Sequence, residues 1–193
     1  MAADPKDSPR HYYTIEEYFA LERTGDGRYE YWDGEIVSMS GGSKEHGMIT
    51  GNVYFGLRQQ MAGRDCKVFN SEIPVKTPTL PPYRYPDASV VCGDATFESV
   101  DGIDTLINPT LIVEVLSPGT ERRDRNEKRA AYQALPPLID DLMLAQDAPH
   151  ATHFARQSEK WVRSDYGDLN ASIVLSIGCS LTLSEIYAAV QFE

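Results

Sequence analysis

Three cysteines in 193 residues, Cys66, Cys92 and Cys179, are few, dispersed and odd in number. No CxxC pair occurs, so neither a structural zinc site nor a disulfide framework is expected, and a reducing, cytoplasmic setting fits. Long apolar runs are also missing. No stretch is long enough to cross a membrane, and the opening MAADPKDSPRHYY has no apolar core of a signal peptide. GDG and SGG read as turns, so no glycine-rich phosphate loop is present. Positive charge is scarce: 18 Lys and Arg stand against 29 Asp and Glu, a net charge of −11. Such a balance argues against a general nucleic-acid binder, whose phosphate contacts come from clustered cations. One local exception is ERRDRNEKR, Glu121 to Arg129, with five basic and three acidic residues.

What is present suggests one mixed α/β domain over residues 13–193, preceded by a loose polar arm over 1–12. Thr14 and Glu17 form a capping-box pattern for a helix from Ile15 to about Arg23. RYEYW and EIVSM alternate around Asp33-Gly34, a strong hairpin signal. There Glu30 shares a face with Trp32, either solvated or turned toward a cleft. From about Glu45 to Met61, apolar residues recur at Ile49, Val53, Leu57 and Met61, the stripe of a half-buried helix. His46 lies in its first turn. KVFNSEIPVKT reads as a core strand, and GDATFESVDGIDTLINP as a long acidic loop. Asp124 opens a helix to about Ala134. LMLAQ is a strand, ATHFARQ and KWVRSDY a hairpin, SIVLSI and SLTL extended structure, and Ser184 a cap for a last short helix.

The unusual stretch runs from Arg84 to Tyr132. Asp87 begins the apolar run DASVV and Glu114 interrupts LIVEVL. An ionised carboxylate among Ile, Val and Leu is costly unless compensated. Alternation puts Asp87, Ser89 and Val91 on one face of one strand, and Ile112, Glu114 and Leu116 on one face of another. If the strands are neighbours, the two carboxylates converge, and a proton or a cation must enter between them. Hard oxygen donors suit Mg2+ or Mn2+. Lys128 shares a helix face with Asp124 and Tyr132. The plain alternative is that Asp87 caps a turn, Glu114 pairs with an arginine and Lys128 makes an ordinary surface pair with Asp124.

Five segments, RYEYWDGEIVSMS, KEHGMITGNVYFGLR, YRYPDASVV, NPTLIVEVLSPGT and DRNEKRAAY, together resemble the Uma family, formerly a domain of unknown function. That family lies in the PD-(D/E)XK, restriction-endonuclease-like superfamily. The resemblance extends from about Tyr13 to Val190. It implies a central mixed sheet flanked by helices, with an N-terminal helix and hairpin, and a Mg2+- or Mn2+-dependent endonuclease acting on DNA. It places the metal-binding carboxylates at Asp87 and Glu114, with Glu30 and His46 as accessory residues. The superfamily's lysine would stand two residues after Glu114, where this chain has Leu116. The resemblance moves that role to Lys128. A second departure is IDDLMLAQD from Ile139, where the family has an aromatic residue leading into its last core strand.

A metal-dependent endonuclease is the leading functional expectation, with a homodimer reasonable because cutting two strands needs two sites. A non-catalytic interaction module that keeps the fold is the alternative, and hydrolysis of another phosphate ester is a third.

Overall fold

Local chemistry sets the first elements of the computed structural model, which describes residues 11–39 and 42–192. Most of the expected N-terminal arm therefore lies outside the described residues. Contacts divide the chain into two compact units, 1–41 and 42–193. In the first, Thr14 caps α1 (Ile15–Glu22) by accepting the Glu17 N–H, while the Glu17 side chain accepts the Thr14 N–H at 2.7 Å. The strands β1 (Tyr29–Trp32) and β2 (Glu35–Ser38) pair antiparallel around Asp33 and Gly34. Both turn residues have positive φ, 44° and 88°, as a two-residue hairpin requires.

The second unit begins with α2 (Lys44–Met61), capped by Ser43 through the His46 N–H. Its buried residues are Ile49, Val53, Leu57 and Met61, the predicted stripe. Next come β3 (Cys66–Asn70), β4 (Val75–Lys76), β5 (Tyr83–Arg84), β6 (Ala88–Cys92), β7 (Phe97–Val100), β8 (Ile103–Leu106) and β9 (Leu111–Leu116). A helical segment is built from α3 (Glu121–Arg123), a π-helical turn over Asp124–Lys128 and α4 (Arg129–Gln133). The chain then forms β10 (Asp140–Ala145), β11 (Ala151–Gln157), β12 (Lys160–Tyr166), β13 (Ser172–Leu175), β14 (Cys179–Thr182) and α5 (Leu183–Ile186).

Six strands make the central sheet, in the order β12-β11-β10-β9-β6-β3. It is mixed: β9 and β10 run parallel and the other neighbours antiparallel. The helical crossover from β9 to β10 supplies the long connection a parallel pair needs. α2, α5, β13 and β14 cover one face, where Leu57, Val90, Val113, Leu142 and Leu181 share a core. On the other face, Val91 and Ile112 pack with Tyr132, Leu135 and Leu138. All six residues of β9 are buried, which explains why LIVEVL is apolar on both faces apart from one position.

Several expectations are corrected. KVFNSEIPVKT is not one strand but β3 and β4 separated by a turn. The long acidic loop is a hairpin: β7 and β8 pair antiparallel and, with β4 and β5, form a four-stranded sheet. Asp101 (φ 52°) and Gly102 (φ 87°) make its turn, so the Asp-Gly signal read at Asp33 had a second instance here. The last helix is capped by Thr182, not Ser184. Cys66 and Cys92 are disulfide-bonded, against the expectation from cysteine spacing. Antiparallel pairing of β3 with β6 sets the two directly opposite each other, a juxtaposition that a separation of 26 residues conceals.

Candidate active site

Strand register sets the two carboxylate-bearing residues of the sequence pattern on neighbouring strands. β6 pairs with β9 through Ala88 opposite Val113 and Ser89 opposite Ile112, so one further step sets Asp87 opposite Glu114. Asp87 stands just before β6, and its side chain continues the ladder: Oδ2 accepts the Val115 backbone N–H at 2.7 Å. The expected turn cap is thus a strand-end cap on the neighbouring strand, and the carboxylate is fixed by backbone.

Glu114 points to the face covered by the helical crossover. Tyr132 donates to its Oε1 at 2.9 Å and Lys128 to its Oε2 at 3.2 Å. Lys128 Nζ also lies 3.2 Å from Oε1 and 3.4 Å from Oδ1 of Asp124. Asp124 is held in turn by Thr120, whose hydroxyl donates to Oδ2 at 2.6 Å, with Ser117 Oγ 2.9 Å from Thr120 Oγ1. The three charged side chains are 5% exposed or less, so the surface Asp–Lys pair considered for Lys128 is in fact a buried cluster. Asp124 to Lys128 is the π-helical turn, and such wide turns recur at functional sites.

His46 approaches Asp87 from α2, with Nε2 3.5 Å from Oδ2. The Asp87 carboxylate raises the imidazole pKa above its ordinary value, and the Val115 backbone and the charge of Asp124 add to this, while burial opposes it. Glu30 belongs to the first unit, where it is buried in β1 and the Trp32 indole N–H donates to its Oε2 at 3.0 Å.

Of the expected residues, the structure pairs His46 with Asp87 and Lys128 with Glu114, and Asp87 stands just before the strand that neighbours that of Glu114. Sequence reasoning did not single out Asp124 and Tyr132 as members of the cluster, although their shared helix face with Lys128 was the available signal. Asp140 and Asp141, the departure in β10, are both fully buried. Asp140 accepts from Ser176 at 2.9 Å and from the Ile177 N–H at 3.3 Å, and its Oδ1 lies 2.8 Å from His153 Nε2. Asp141 accepts from Gln133 at 3.0 Å, and burial pushes its pKa up to about 7.

Among the described residues, no three His, Cys, Asp or Glu side chains are gathered around one point in the manner of a metal site. In kind, however, the donors fit a hard cation. Asp87 and Glu114 offer carboxylate oxygens, and the Lys128 ammonium between Glu114 and Asp124 shows that the cluster already holds a positive charge.

Comparisons with known proteins bear on the family and the fold. The Uma2 family, described as "Putative restriction endonuclease", matches residues 15–184. Two relatives from Synechocystis sp. are "Uncharacterized protein slr1290", 32% identical over 97% of this chain and 95% of its own, and "Uncharacterized protein sll1609", 27% identical over 84% and 92%. A solved structure from Anabaena variabilis, titled as "a putative nuclease belonging to DUF820", superposes with a TM-score of 0.67. It is 16% identical and the match covers 84% of this chain and 91% of that one. The fold is of the restriction-endonuclease-like α+β class, a mixed sheet with helices on its faces. With its profile matched across most of the sequence, the chain belongs to the Uma2 family.

Proposed function

We propose that this chain is a Mg2+- or Mn2+-dependent endonuclease that hydrolyses phosphodiester bonds in DNA. The observation that carries the reading is the placement of Asp87 opposite Glu114 in strand register, with Lys128 buried against Glu114. When bound, the ion would supply an acidified water and positive charge at the phosphate. Asp87 and Glu114 are the residues that would hold it. Tyr132 orients Glu114, the Val115 N–H orients Asp87, and Lys128 would add positive charge beside the carboxylates. Arg122 is exposed and Arg125 is half-buried and held by Glu121 at 2.7 Å, so the same helical segment offers local positive charge for neighbouring phosphates despite the overall acidity. Two such sites, in a homodimer, would serve the two strands of a duplex, while the Cys66–Cys92 disulfide weighs against the reducing cytoplasm expected from the sequence.

Calorimetric titration with Mn2+ tests the assignment. Asp87→Asn removes charge but keeps an acceptor for the Val115 N–H, so it should stay folded and lose most Mn2+ affinity. Unchanged affinity in that variant would refute the site. The Lys128–Glu114 pair also favours a second reading, a non-catalytic module in which these residues form a structural ion pair. On that reading Mn2+ has no effect on melting, and a Glu114/Lys128 double-mutant cycle shows strong coupling in stability alone.

A further inference from the structure

We propose that Lys128 is the resident counter-cation of Glu114 and competes with the divalent ion for it, so that loading the site and releasing the lysine are one event. The inference rests on the endonuclease reading and adds a role for Lys128 before any substrate arrives.

Three observations carry it. First, Nζ of Lys128 lies 3.2 Å from each Glu114 oxygen, in the place an ion on that carboxylate would need. Two cations cannot share this small buried volume without strong repulsion. Second, Lys128 has another berth. Asp124, one helical turn earlier, reaches Nζ at 3.4 Å and is itself fixed by the Thr120 hydroxyl. An ammonium displaced from Glu114 is therefore still compensated, which a buried charge requires. Third, the exchange leaves Glu114 oriented, because Tyr132 holds Oε1 from the next turn of the same helical segment. The lysine thus needs only to rotate about its own flexible stem, from two carboxylates to one. Once off Glu114, it stays paired with Asp124 at the edge of the cluster.

This arrangement also gives the displaced position of the lysine a physical reason. A lysine on β9 itself, where Leu116 stands, would have its backbone fixed beside Glu114 in the sheet. Lys128 stands instead outside the sheet, in a π-helical turn, with its own acid Asp124 four residues earlier.

The test is Mn2+ affinity by calorimetry, together with the rise in Tm that Mn2+ produces, in the native chain, K128M and D87N, with circular dichroism to confirm folding. Removing the competitor should tighten Mn2+ binding roughly tenfold and enlarge the Tm shift in K128M. If K128M does not hold its fold, K128Q keeps a hydrogen-bond donor toward Glu114 without the charge and should show the same gain. Binding that depends on Asp87 but is unchanged or weaker without the Lys128 charge overturns the competition and leaves the endonuclease reading standing. Binding absent from the native chain but present in K128M supports the competition in its strongest form. Absence of binding in every variant overturns both.

Discussion

Tyr132 and Glu114 are separated by 18 residues and meet at 2.9 Å, the tyrosine hydroxyl donating to Oε1 of a glutamate in the middle of the sheet. A hydrogen bond to a buried charged acceptor contributes about 1.5–3 kcal/mol. Tyr132→Phe keeps the ring packed among Val91, Ile112 and Leu138 and removes only the hydroxyl. Urea denaturation should therefore show a loss of about that size. A loss below roughly 0.5 kcal/mol would mean that Glu114 does not depend on this bond.

Asp141 gives a pH prediction. It is fully buried, with Gln133 donating to one oxygen, and its folded-state pKa of about 7 lies above the ordinary value of 3.8. A carboxyl raised in this way contributes stability that is fully present below about pH 3.8 and is lost as pH rises through about 7. Asp141→Asn cannot ionise and still offers Gln133 an acceptor. It should be more stable than the native chain at pH 8, by on the order of a few kcal/mol. The gap should narrow below pH 7 and close near pH 4. Thermal melts of both proteins across that range check the sign, and a variant less stable at pH 8 than at pH 5 relative to the native chain would reverse it.

Cys66 and Cys92 are bonded, and Cys179 is a buried free thiol whose pKa burial pushes up to about 11. Alkylation of the unfolded, unreduced protein should label one cysteine of the three, and all three after reduction. Replacing both Cys66 and Cys92 by serine should cost about 2–4 kcal/mol. Full labelling before reduction would show that the pair stays as thiols.

α2 separates packing from surface. Leu57 is completely buried and Arg58 is exposed. Leu57→Ala should lose about 2–5 kcal/mol of stability and Arg58→Ala should stay within about 0.5 kcal/mol of the native chain. Equal effects in denaturant unfolding would contradict the placement of the helix.

These residues also show how far the sequence could be read. The stripe from Ile49 to Met61, the Asp33-Gly34 hairpin and the strands that follow Asp87 and carry Glu114 were legible because local periodicity and turn chemistry coincide with the fold there, whereas their pairing was only a condition that the structure meets. The β7–β8 hairpin was obscured by its composition. β7 is largely exposed and only the end of β8 is buried, so no buried face repeats to mark them, and only the Asp101-Gly102 turn announces it. The disulfide was hidden because strand pairing, not spacing, brings Cys66 to Cys92. At the site, the two carboxylates stood out as charges among apolar residues, and the lysine was reached through the family resemblance. Asp124 and Tyr132 did not, since an aspartate and a tyrosine on a helix have ordinary surface roles, and only burial against Glu114 and Lys128 gives them another.

Asp87 and Glu114 are the proposed phosphodiesterase centre on this sheet. Supercoiled and single-stranded DNA, incubated at low salt with the native chain in Mn2+, Mg2+ or EDTA and with Asp87→Asn alongside, tests it most directly. The account predicts metal-dependent nicking by the native chain, abolished by EDTA and by the substitution. Nicking that persists in Asp87→Asn, or that is indifferent to EDTA, would contradict it.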